Sequence, residues 1–265
     1  MPKKNNKQKI IKHNKMANEK IKNTKKKYEQ NLHSYLLDHS PELSKYWLGE
    51  KKILDRILHH RPFEMIVLAA DIRKSTFLMK ESIDFTLFAS ILGEFIEFSR
   101  METHKRQGWF DKFTGDGFLA YWIYNNSDES VNGTISKVMT TAKSIMNNFQ
   151  STILDSFRKN SRNFPEGIGL SIGIDAGPSN MVDIANDITI VGPAVVGAVR
   201  MVSIAEKVGE TIANVYLGEY LYGPEGLPLL DRHSAEIKRE YRQTKEYDSQ
   251  EVYVINFKTH EPVAR

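Results

Sequence analysis

The segment Phe63-Glu64-Met65-Ile66-Val67-Leu68-Ala69-Ala70 is apolar at every position but one, and a carboxylate, Asp71, follows it at once. Continuous apolarity predicts a strand buried on both faces, with Asp71 at its C-terminal end. A second pattern follows: Trp109-Phe110-Asp111-Lys112-Phe113-Thr114, then Gly115-Asp116-Gly117, then Phe118-Leu119-Ala120-Tyr121-Trp122-Ile123-Tyr124. Two strand-like runs around a short Gly-Asp-Gly predict a hairpin. Its turn would hold Asp116 clear of the sheet, with glycines leaving room for an ion and a phosphate to approach the backbone. Hard cations such as Mg²⁺ are held by one or two carboxylates, with substrate phosphates and water completing the shell. Asp71 and Asp116 could serve that chemistry if the fold joins them. Asp beside Gly is also a common turn pair, and an aspartate at a strand end is often only a cap. The pair therefore gains meaning from the residues around it.

At 265 residues and 40% hydrophobic, the chain can bury a sizeable core. It has no cysteine, so disulfides and thiolate metal sites are excluded. No apolar run reaches the length of a membrane span, and the N-terminus lacks an apolar signal core, so a cytoplasmic protein is expected. The net charge of +4 is unevenly placed: residues 1–30 hold eleven lysines against Glu19 and Glu29, a net of +9, which leaves −5 for the other 235 residues. A lysine-rich arm of this kind reads as a solvated, partly disordered tail. With no aromatic residues interleaved for stacking, nucleic acid is not the expected partner.

The pattern divides the chain into that tail (1–30), an N-terminal helical segment (31–60) and one larger domain (61–258). Ile21, Tyr28, Leu32, Tyr35 and Leu36 recur at helical spacing toward Asp38, and Ser40-Pro41-Glu42 reads as an N-cap with proline in the first turn of a helix running toward Leu58. In the domain the expected order is a strand at 63–70, a helix from Asp84 to His104, the hairpin at 109–124 and a helix from Ser130 to Asn160. Strands follow at Ile168–Ile174 and Ile188–Val191, then a helix from Pro193 to Val208. Strands near 211–216, 236–241 and 251–257 close the domain. Phe85, Phe88, Leu92, Phe95 and Ile96 form an aromatic stripe that reads as core. Alternating helices and strands with a central hairpin predict an α+β sandwich of ferredoxin-like type.

Four segments, in order, resemble the class III nucleotidyl cyclases, the adenylate and guanylate cyclase family. They are Ala70-Asp71-Ile72-Arg73-Lys74-Ser75-Thr76, Lys112-Phe113-Thr114-Gly115-Asp116-Gly117-Phe118-Leu119-Ala120, Gly169 to Gly177, and Ile188 to Met201. The resemblance covers roughly residues 63–257. It implies that Asp71 and Asp116 hold two divalent cations, Mg²⁺ or Mn²⁺, with the Ile72 carbonyl assisting. Lys74 to Phe77, and so Ser75, Thr76 and Phe77, would cradle the triphosphate, and Arg200 would stabilise the transition state. In that family the arginine helix and the metal aspartates come from different protomers, which implies a homodimer with two equivalent sites.

Lys112 falls on the family's first base-reading position and Thr189 on the second. A lysine only donates, whereas a threonine hydroxyl donates or accepts, so the pair suits adenine and uracil alike. A phosphate-binding lysine is implied near the C-terminus: Lys245 is the leading candidate, with Lys238 and Arg242 as competitors. Where the family usually has an asparagine four residues before the arginine, this chain has Val196. With its short N-terminal helices and this altered helix, the chain looks like the stand-alone pyrimidine cyclases of bacterial Pycsar anti-phage systems. That likeness implies conversion of UTP to cyclic UMP, with adenylate cyclase as the alternative. A fold that only binds nucleotide is the alternative from another class, supported by the lost asparagine and opposed by the joint presence of Asp71, Asp116, Lys112 and Arg200. A diguanylate cyclase fits less well, since Thr114-Gly115-Asp116-Gly117-Phe118 lacks that family's paired glycines and second acidic residue.

Overall fold

A computed structural model describes residues 59–124, 128–184, 187–205, 209–214, 217, 235–243 and 249–257, together with isolated helical positions at 23, 26, 27, 30, 56 and 57. The rest of the lysine-rich tail, the helical segment over 31–60 apart from residues 56, 57, 59 and 60, and Lys245 lie outside the described residues. The chain divides into two compact units, residues 1–61 with 181–189, and residues 62–180 with 190–265. The fold described below belongs chiefly to the second.

The apolar run forms β1 (Phe63–Arg73), longer than expected, so Asp71 lies inside the strand rather than beyond it. A short helix α1 (Ser75–Lys80) follows directly. Next comes α2 (Phe85–Lys105), started by Asp84, whose carboxylate accepts the Thr86 and Leu87 N–H groups at 2.8 and 3.2 Å. The hairpin is β2 (Trp109–Phe113) and β3 (Gly117–Ile123). The long helix that follows is not uniform: α3 (Asp128–Asn148) passes through a π-helical turn, Phe149–Ile153, into α4 (Leu154–Lys159). After it come β4 (Gly169–Ile184), β5 (Asp187–Val191), α5 (Pro193–Ser203), β6 (Thr211–Asn214), β7 (Ala235–Arg242) and β8 (Gln250–Phe257).

The strands form one sheet in the order β2-β3-β1-β4-β6-β8-β7, with β5 paired to β4. β1 is central and antiparallel to both β3 and β4, and only the β4–β6 pair among the described registers is parallel. Alternation along β1 sends Ile66, Leu68, Ala70 and Ile72 into one apolar cluster with Phe88, Ile91 and Phe95 of α2 and Ile135, Val138, Met139 and Ile145 of α3. The stripe on α2 is thus core, as its spacing implies, except at Phe85, which stays 63% exposed in the first turn. Asp71 has the opposite parity and belongs to the other face. There α5 packs over β1, and Met201 joins Ile204, Ala205, Ile212, Val252 and Val254 in a smaller cluster.

That packing needs close backbone approach. A β-carbon at Gly173 would overlap the Ala198 carbonyl oxygen and the Val202 nitrogen, so glycine lets α5 lie directly on β4. The chain end beyond α5 is tied back to β1 by Arg73, whose guanidinium donates to the Ala205 carbonyl.

Candidate active site

β1 and β3 place the two aspartates together. Asp71 pairs across the sheet with Gly117, the first residue of β3, and Asp116 immediately precedes it. The turn between the hairpin strands is closed by the Thr114 N–H donating to the Gly117 carbonyl at 2.9 Å, with Gly115 in the left-handed region at φ 101°. A side chain there would be strained, which is the reason for glycine at that position.

Burial pushes the Asp71 carboxyl up to about 6, reinforced by the charge of Asp116 and a hydrogen bond with it, and opposed by Arg73. Two carboxyl groups in contact resist ionising together, and a divalent cation relieves that repulsion. Ser75, buried at the start of α1, donates its hydroxyl to Asp116 Oδ2. Ile72 lies one residue past the last β1–β3 pair while still paired with Leu170 of β4. Among the described residues no three His, Cys, Asp or Glu side chains cluster, so an ion here would have two carboxylates, backbone and substrate as ligands. Such an all-oxygen, carboxylate-poor donor set fits Mg²⁺ or Mn²⁺.

A cleft of about 510 Å³ opens at this point. Its lining includes Asp71, Arg73, Lys74 and Thr114 from the strand ends and Val199, Val202 and Ser203 from α5. Lys74 holds a left-handed backbone at φ 60°, and its ammonium donates to the Glu166 carbonyl at 2.6 Å. Thr76 and Phe77 are exposed on α1. Arg200 lies on the helix face that carries Val196 and Val199, 48% and 50% exposed, opposite buried Ala194, Ala198 and Met201.

The remaining expected residues divide. Lys112 is exposed on β2, with its ammonium 3.5 Å from Asp111. Thr189 is buried and belongs to the other compact unit. Of the competitors for phosphate binding, Arg242 is buried in ion pairs with Glu210 at 3.2 Å and Glu240 at 2.7 Å, and Lys238 pairs with Glu236 at 3.0 Å. Arg242 therefore has a structural occupation, and Lys245 lies outside the described residues.

Three polar residues of the region were not legible as such. Ser75 as partner of Asp116 had no signal beyond its place in the turn. Asp111 could have been noticed as an acid in an otherwise apolar strand, beside a lysine. Asp175 packs its carboxylate against Gly197 of α5, accepting from the Ala176 N–H at 2.7 Å and from Asn214, and burial pushes it up to about 6.

No family model matches the sequence, and no curated protein matches it. Solved structures do match. The adenylyl cyclase CyaB from P. aeruginosa superposes with a TM-score of 0.56 over 73% of this chain and 94% of that one, at 18% identity. The guanylate cyclase domain of RhGC from Catenaria anguillulae, solved with GTP, gives 0.56 over 74% of this chain and 98% of that one, at 14% identity. A dimeric guanylyl cyclase domain of the RhoGC fusion protein from Blastocladiella emersonii gives 0.53 over 74% and 98%, at 16% identity. The described residues therefore have the fold of a class III adenylyl/guanylyl cyclase domain, a mixed sheet with flanking helices.

Proposed function

We propose that this chain is a nucleotide cyclase that converts a ribonucleoside triphosphate to its 3′,5′-cyclic monophosphate and pyrophosphate. The observation that carries the reading is the contact between Asp71 and Asp116 at the mouth of a cleft roofed by the Arg200 helix. It stands on a fold shared with adenylyl and guanylyl cyclases, two of whose structures bear those names and one of which binds GTP.

When bound, two divalent ions would activate the ribose 3′-hydroxyl and neutralise phosphate charge. Asp71, Asp116 and the Ile72 carbonyl would hold them, with Ser75 fixing the orientation of Asp116. The residues of α1, Ser75 to Phe77, and a C-terminal lysine, Lys245, would contact the triphosphate. The 3′-hydroxyl attacks the α-phosphorus in line, and pyrophosphate leaves from the opposite side. Arg200 meets the charge that develops on the α-phosphoryl oxygens, a role whose removal costs about a hundredfold to a thousandfold in rate.

We assign Arg200 to the site of a second copy, as the resemblance to class III cyclases implies. The working enzyme is a homodimer with two sites related by symmetry. Lys112 and Thr189 read the base. Val196 stands exposed one turn before Arg200, where a ribose-binding asparagine would be. The likeness of this altered helix and short N-terminal segment to the pyrimidine cyclases of bacterial Pycsar systems is the ground for UTP as substrate and cyclic UMP as a second messenger in anti-phage defence. ATP is the second reading, because the donor and acceptor pattern of Lys112 and Thr189 fits adenine equally.

The test is incubation of the purified chain with Mn²⁺ and each of the four ribonucleoside triphosphates, with products identified by mass spectrometry. One dominant 3′,5′-cyclic nucleotide is expected, cyclic UMP before cyclic AMP. A dinucleotide, or no product from any triphosphate, would refute the reading; a main product of cyclic AMP would keep the cyclase and remove the pyrimidine assignment.

A further inference from the structure

β2 departs from strand alternation at one residue. Its burial runs buried, buried, buried, exposed, exposed from Trp109 to Phe113, and its register against β3 shifts between Phe110 and Lys112. Asp111 is the residue at that irregularity. A bulge re-aims the side chain it carries, and here it turns an acid inward while its neighbour Lys112 faces out.

The result is an asymmetric ion pair. The Asp111 side chain is fully covered, the Lys112 side chain is 43% exposed, and Oδ2 of the one lies 3.5 Å from Nζ of the other. Asp111 Oδ1 also accepts the Ile190 N–H, at 3.2 Å, which ties β2 to β5. A neutral amide could accept that N–H as well. The charge has Lys112 as an ionic partner, and a buried carboxylate is costly unless paired.

We propose that Asp111 is a positioning residue for nucleobase selection: its buried carboxylate fixes the direction in which Lys112 presents its remaining N–H donors. This rests on the cyclase reading, in which Lys112 meets the base edge. Lysine is a compact cation on a flexible four-carbon stem. Left alone it would follow an acceptor on any base. Anchored by Asp111, it offers donors over a narrow range and rewards only a base whose acceptor falls there. Selectivity then lies in the Asp111–Lys112 pair rather than in the lysine alone.

The experiment compares wild type, Asp111→Asn, Asp111→Glu, Lys112→Ala and the Asp111→Asn/Lys112→Ala double variant of the full chain. For each, kcat/KM is measured with the four triphosphates, and their equilibrium binding is measured by calorimetry with Ca²⁺. Asp111→Asn keeps an acceptor for Ile190, so its melting temperature should stay near wild type. Its preference for the best triphosphate over the next should fall about tenfold, the scale of a hydrogen bond to a charged group. Asp111→Glu should recover part of that preference, and Asp111→Asn should have no further effect once Lys112 is alanine. An unchanged preference in Asp111→Asn, or an equal change in the Lys112→Ala background, overturns the proposal. Equal binding of all four triphosphates by wild type, or binding of none, overturns it too. If wild type forms no cyclic product yet the binding preference shifts in the expected way, the positioning role stands and the cyclase reading falls.

Discussion

Single carboxylates set the chemistry of this chain, and their surroundings separate their roles. Asp71 is held against a second acid, Asp116, with a serine hydroxyl on the other side, an arrangement suited to a cation. Asp175 is raised by burial alone and has no acid partner; it lies under α5. For an acid whose folded pKa exceeds the unfolded value, the unfolded chain ionises first. Stability therefore falls as pH rises from the ordinary value of 3.8 to about 6, and is flat above. Asp175→Asn keeps acceptors for Ala176 and Asn214 and removes that cost. Urea denaturation should show the variant more stable than wild type by about 2 kcal/mol at pH 7.5, after allowance for solvent screening. The gap should close toward pH 4, and a gap independent of pH would mean the carboxylate is not the cause.

At the scale of elements, the decisive contact is α5 on β4. Gly173 allows it, because any β-carbon there meets helix backbone rather than a movable side chain. Gly173→Ala should destabilise the fold by about 2 kcal/mol through overpacking. It should also lower the proposed cyclase activity beyond what the stability loss explains, since the helix bearing Arg200 is pushed off the sheet. Calorimetric melting alongside activity at a temperature where both proteins are folded separates the two effects. Much at this scale was readable from residues alone: the apolar run gave β1, Asp84 marked the start of α2, and Gly115-Asp116-Gly117 marked the hairpin. β4 was read too short, because Gly177, Pro178 and Ser179 look like a strand end, whereas pairing with β1 carries the strand on. The π-helical turn at Phe149–Ile153 left no mark in an apolar periodicity that stays helical throughout. In the site, the two aspartates were legible through the strand and the turn that carry them. The Ser75 and Asp111 contacts were not, because they depend on which way a tight turn and a bulge rotate a side chain.

For the whole molecule, the proposed division of labour between two copies can be tested by mixing. Asp71→Ala and Arg200→Ala should each be inactive alone. Combined, they should recover up to about a quarter of wild-type activity, since random pairing gives half mixed dimers with one intact site each. No recovery would rule out a site shared between copies. No described helix is long and apolar enough to cross a membrane, so tethering by a described helix does not supply the encounter of the two copies.

The proposed sharing of Arg200 between copies has a consequence for dosage. If the arginine of each copy serves the cleft of the other, output below the dimerisation constant grows with the square of the number of chains. Tenfold more protein then yields about a hundredfold more product. Abundance alone would act as a threshold, leaving a sparsely expressed chain silent without any inhibitor to restrain it.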